Sequence, residues 1–178
     1  MNETLMKSFE IIEKRKADLL KSLDQIDDDK LTYHPDPGKW NIIQIIQHVA
    51  DAERGALNYC KKKIQAGDKM PDSPLVENAR MSLFNKFLRT KIRYKMPKGL
   101  KSPEGGLEYQ EVCVNWYNTR EALRKFLDTY PDKYLKKAIF KHPVAGRIGL
   151  NNMLLFFDAH LVHHKYQIER NLKSFQTP

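Results

Sequence analysis

The chain is poor in the features that would place it in several common classes. It has two cysteines in 178 residues, Cys60 and Cys113, each alone in its segment. That leaves no paired spacing for a zinc ribbon, a redox motif or a disulfide framework, and both read as small buried hydrophobes in a reducing compartment. No apolar run approaches the length needed to span a bilayer. The first residues lead into charge and not into a signal-peptide apolar core, so a cytoplasmic location is expected. Internal repeats, low-complexity tracts and convincing strand alternation are also missing.

What is present fits one folded domain over residues 1–178. A hydrophobic fraction of 41% and an aromatic fraction of 10% support a real core. The formal net charge is +9. Such a balance permits anionic partners, nucleic acid among them, without establishing any.

The periodicity is helical throughout. Leu5, Phe9, Ile12, Leu19, Leu23 and Ile26 make one apolar stripe over residues 4–26. The run Asp27-Asp28-Asp29 is expected to end that helix, and Pro35, Pro37 and Gly38 mark a rigid loop. A second helix opens sharply: Asn41 is a good N-cap, Gln44 completes a capping box, and Trp40 with Ile45 makes a hydrophobic staple. It runs to about Ala66, where Gly67 stops it. Residues 68–105 form a long connection with a short helix near 78–94. A third helix spans about 107–129 with Tyr109, Val112, Trp116, Leu123 and Phe126 as its stripe. A loop through His142-Pro143 and Gly146 follows, and a fourth helix spans about 150–172. Four long helices with one or two short extra ones, in the connection between helices two and three, make an all-α four-helix bundle.

The chemistry concentrates in the fourth helix, where residues 158–167 hold three of the six histidines. Residues four apart share a helix face, so His160 and His164 project side by side, as two imidazoles must to hold one metal ion. His163 competes with His164, because positions three apart also share a face. The four-residue spacing overlaps His160 better, which leaves His163 as the more exposed neighbour. On the second helix His48 lies about two turns from the cap, with Ala52, Gly55 and Ala56 leaving room beyond it. Facing helices of a bundle are a recurrent place for metal sites, and a catalytic zinc site commonly uses three protein ligands and keeps one position open. Imidazole also suits nickel, copper and iron; zinc or nickel is the expectation. His34 and His142 stand beside prolines in loops, where turn and packing roles are expected. Asp51, one turn from His48, and Gln167, one turn beyond His164, are candidates for orienting the ligands.

The stretch Pro37–Asp51, which reads Pro-Gly-Lys-Trp-Asn and ends in His48-Val49-Ala50-Asp51, resembles the first motif of the DinB/YfiT-like metalloenzymes. His142-Pro143-Val144-Ala145-Gly146, followed by His160 through Gln167, resembles that family's closing pattern. Asn41 stands where relatives usually have Ser or Thr. Gly149 stands at the usual Thr position before the fourth helix, which weakens that cap. The resemblance implies an up-down-down-up bundle, a divalent metal held by His48, His160 and His164, and a homodimer. Some relatives are thiol S-transferases that use low-molecular-weight thiols such as bacillithiol or mycothiol; others are described as hydrolases or damage-inducible proteins.

Three functions follow from this reading. The first is a metal-dependent S-transferase acting on a small molecule with a thiol cosubstrate. The second is a hydrolase that activates water at the same metal. The third, from another class, is a nucleic-acid-binding or damage-response module. It would rest on Lys86, Arg89, Lys91, Arg93, Lys95, Lys98 and Lys101, a basic run without an acid in which Phe87 and Tyr94 are interleaved.

Overall fold

A computed structural model of the chain describes residues 1–92, 103 and 105–175. Among these residues the regular structure comprises, besides two short 3-10 turns, six α-helices and one small hairpin: α1 Glu3–Leu23, α2 Asp28–Thr32, α3 Ile42–Lys63, α4 Leu75–Leu88, α5 Tyr109–Asp128, β1 Phe140–His142, β2 Gly146–Ile148 and α6 Leu150–Phe175. The bundle is built from α1, α3, α5 and α6, with α4 laid against α6. Among the described residues no helix is long and apolar enough to cross a membrane.

The long helices form where the apolar stripes predict them. In α1 the side chains of Leu5, Ile12, Leu19 and Leu23 are all buried, and Asn2 caps the first turn by accepting from the Thr4 N–H. The α3 capping box is complete: Gln44 N–H donates to Asn41 Oδ1 at 2.8 Å, and Asn41 N–H donates to Gln44 Oε1 at 3.1 Å. The helix ends at Lys63, three residues before Ala66, and passes into a 3-10 turn over Ile64–Lys69. Gly67 sits in that turn at φ +52°, the left-handed backbone that only glycine adopts freely.

Three expectations need correction. The acid run does not end α1, which closes at Leu23 with Asp24 as its C-cap and leaves Ile26 outside; Asp27 instead occupies the N-cap position of α2, with Asp28 and Asp29 in its first turn. Carboxylates there face the positive end of the helix dipole, so these acids serve to start a helix. In the long connection, α4 begins at Leu75 behind Pro74 and ends at Leu88, earlier at both ends than residues 78–94. The loop after α5 contains an antiparallel hairpin pairing Phe140 with Ile148, Lys141 with Arg147 and His142 with Gly146. Strands of three residues are too short to display an alternating pattern, which is why the sequence reads as a loop.

The core falls into two apolar clusters. One gathers Leu57, Cys60, Met81, Leu127, Ile148, Met153 and Phe157. The other gathers Leu19, Ile42, Ile46, Val49, Val112, Trp116 and Leu161. Each fully buried side chain of this kind stabilises by roughly 1.5–3 kcal/mol. Polar side chains lie at the sequence positions between the clusters. Glu53 on α3 takes two bonds from Arg120 on α5, at 2.6 and 2.7 Å, and one from Trp116 Nε1 at 2.8 Å. Arg120 also donates to Glu13 on α1 at 2.9 Å. On α6, Asp158 is buried and paired with Arg15 of α1 and Arg89 beside α4. These ion pairs tie α1, α3, α5 and α6 together around the positions that carry the histidines.

Candidate metal centre

His48 arrives on α3, and His160 and His164 arrive one turn apart on α6. One ring nitrogen from each of the three lies within 4.8 Å of the others. The ring centroids are 5.3 Å apart for His48 and His160, 4.9 Å for His48 and His164, and 4.5 Å for His160 and His164. The capping box that begins α3 sets the turn on which His48 sits. Trp40, expected to staple onto Ile45, also rests its ring 4.9 Å from the His48 imidazole.

The cluster is held neutral. Burial pushes His48 down to about 4, with the charge of His163 adding to the effect. His160 and His164 are lowered well below the ordinary histidine range, first by burial and then by the neighbouring imidazoles. Neutral imidazole is the form that binds metal. His164 Nδ1 donates to Gln167 Oε1 at 3.0 Å, which leaves its Nε2 as a bare lone pair. That Nε2 lies 3.0 Å from Nε2 of His160. On the far side of the ring, His160 Nδ1 is buried without a hydrogen-bond partner among the described residues. Three neutral imidazoles aimed at one point are a donor set that fits a divalent cation with positions left open.

The other candidates separate clearly. His163 is not the more exposed neighbour; at 9% exposure it is about as buried as His164 at 6%. Position distinguishes them, since His163 stands outside the three-nitrogen group. Asp51 does not reach His48: its carboxylate accepts from Arg54 at 2.7 Å at the surface. His34 has the expected turn role, with Nδ1 2.7 Å from the Lys39 carbonyl. Of the small residues beyond His48, Ala52 borders a cavity, Ala56 packs into the core and Gly55 faces open space. Cys60 is fully buried and Cys113 half-buried. In the basic run, Arg89 is engaged with Asp158 and Lys91 lies over the Tyr166 ring; Arg93, Tyr94, Lys95, Lys98 and Lys101 lie outside the described residues.

The histidines open onto a cavity of about 370 Å³. Its walls are mainly aromatic and aliphatic, with Trp40, Phe84, Leu88, Phe140 and Phe156 among them, and Phe156 stacks on His160 at 5.1 Å. His142 borders the same space, a placement that its position beside a proline did not reveal. The hairpin is what delivers it there.

Fold and site together define a four-helix bundle with a histidine cluster at the base of an apolar cavity. The chain belongs to the DinB superfamily, whose profile matches residues 11–168. Among solved structures it is similar to YfiT from Bacillus subtilis, described as "a probable metal-dependent hydrolase with an unusual four-helix bundle topology". That likeness has a TM-score of 0.63 at 20% identity and covers 99% of this chain and 90% of YfiT, and it carries the fold. No curated protein matches the chain.

Proposed function

We propose that this protein is a metal-dependent enzyme acting on a small, largely apolar molecule, with His48, His160 and His164 as the metal ligands. The observation that carries the reading is the convergence of three neutral ring nitrogens within 4.8 Å at the base of a cavity. A divalent cation, zinc or nickel foremost, would supply Lewis acidity there, favouring the deprotonated form of a thiol or of water. Gln167 holds the His164 ring in the tautomer that presents Nε2, and Phe156 fixes the plane of His160. The apolar walls would limit the water around such a cation and so strengthen its field.

Thiol S-transfer is the reading these walls favour, with a low-molecular-weight thiol as cosubstrate. Among the described residues the cavity lining has no carboxylate, so no general base of that kind stands ready to activate water. A thiol is far more acidic than water, so one held by the cation would release its proton to solvent near neutral pH and lean less on such a base. The hydrolytic reading is supported by YfiT, named a probable metal-dependent hydrolase on the same fold. Metal analysis of protein purified without a histidine tag tests the centre itself. Turnover of a chlorinated dinitrobenzene in the presence and absence of small thiols then separates the two chemistries. Stoichiometric metal and thiol-dependent turnover are expected; metal-free protein with intact histidines would end the proposal.

A further inference from the structure

The cavity has a polar group that the histidine cluster does not use. His142 closes β1, and its Nδ1 accepts the Val144 N–H at 3.1 Å and the Ala145 N–H at 3.2 Å. A ring nitrogen that accepts from backbone donors carries no proton, so the neutral ring must carry its hydrogen on Nε2. Burial pushes His142 down to about 4, which keeps the ring neutral near pH 7. The side chain is only 5% exposed, yet among the described residues no acceptor is bonded to Nε2. Around the ring stand Phe156 at 4.4 Å, Phe84 at 5.3 Å and Phe140 at 6.3 Å, all bordering the cavity. A donor with a fixed tautomer and aromatic neighbours that lines the cavity offers one directed hydrogen bond to whatever occupies that space, and an occupant that displaces water from it must supply an acceptor.

We propose that His142 is a binding residue for an aromatic small molecule with a carbonyl-type oxygen next to its ring. The oxygen accepts from Nε2–H while the molecule's ring packs against Phe84, Phe140 and Phe156. Edge and face contacts among aromatic rings suit such an occupant, and one acceptor is all the donor can satisfy. The inference goes beyond the metal reading, because it uses the walls and the imidazole donor and needs no cation. The hairpin then has a functional reason: its turn amides set the tautomer that a loop histidine would choose freely.

The test uses acetophenone and ethylbenzene, which differ in the carbonyl oxygen. Each is titrated into chelator-treated protein and, separately, into zinc-loaded protein, and binding is followed in proton–nitrogen spectra of the histidine rings. The same titrations are run on His142→Asn, whose side-chain oxygen can still accept from the turn amides but whose reach into the cavity is lost. The ratio of acetophenone to ethylbenzene affinity is expected to fall about tenfold in the variant, the size of one neutral hydrogen bond. An unchanged ratio, failure of acetophenone to bind, or a wild-type ring protonated on Nδ1 would each overturn the proposal. Should His142→Asn not fold, the wild-type spectra decide: acetophenone must move the His142 Nε2–H signal and ethylbenzene must not. Absence of stoichiometric metal would end the metal-centre reading while leaving these results to stand or fall alone.

Discussion

The Nε2 atoms of His160 and His164 face each other at 3.0 Å, one turn apart on α6, with the His48 ring closing the third side. His164 presents a lone pair there, so the contact is closed either by the Nε2–H of His160 or by a cation that takes the place of that proton. The expected outcome of His160→Ala or His164→Ala is therefore loss of stoichiometric divalent metal, with the fold kept. His163→Ala is expected to retain it, because that ring stands outside the three-nitrogen group. Elemental analysis of the untagged proteins checks both, and the reverse pattern would transfer the site to His163.

The two candidates for orienting the ligands now predict opposite results. Gln167 touches His164, so Gln167→Ala frees the ring to choose its tautomer; a 10–100-fold loss of metal affinity is expected, roughly the range for such supporting groups. Asp51 is occupied by Arg54 at the surface, so Asp51→Asn should leave metal affinity unchanged and alter stability by less than about 1 kcal/mol. Competition against a chromophoric chelator measures the first quantity and urea unfolding the second.

Much of this arrangement was legible in the sequence, and the reasons are physical. Long amphipathic helices announce themselves by period, so the stripes of α1, α3 and α5 could be read directly, and the Asn41–Gln44 capping box is local chemistry. His160 and His164 are neighbours on one helix, so spacing alone places them together. His48 could be joined to them only through tertiary packing, which the family resemblance supplied and the structure makes explicit. His142 stayed hidden because its hairpin strands have three residues each. The exposure of His163 was misjudged for a related reason. Which side of α6 is covered depends on α4, an element separated from it by more than sixty residues of chain.

Glu53 and Arg120 are each 1% exposed and lock α3 to α5 across the middle of the bundle. Removing one partner leaves the other charge buried without compensation. Glu53→Ala is expected to cost about 3–5 kcal/mol in urea unfolding. Trp116, which donates to the same carboxylate, loses its acceptor as well. Glu13→Ala should cost less, since that carboxylate is 34% exposed and Arg120 keeps Glu53. Equal losses in the two variants would mean that the bundle relaxes around Arg120 and lets water reach it.

His142 gives the stability a pH dependence whose sign is fixed by its environment. Burial lowers it from its ordinary value of 6.5 to about 4. Between those limits the unfolded chain binds a proton that the folded chain refuses. Stability is therefore full above the unfolded value and falls as pH drops through the window, by up to about 3 kcal/mol for this group. His142→Asn removes that proton linkage and keeps every other histidine, so their contributions cancel in the comparison. In chelator-treated protein, any stability advantage of the wild type over the variant near neutral pH is expected to shrink or reverse as the pH approaches 4. Urea unfolding at a series of pH values measures it. Parallel curves for the two proteins would mean that His142 charges freely in the folded state, and that its ring is not enclosed by Phe84, Phe140 and Phe156.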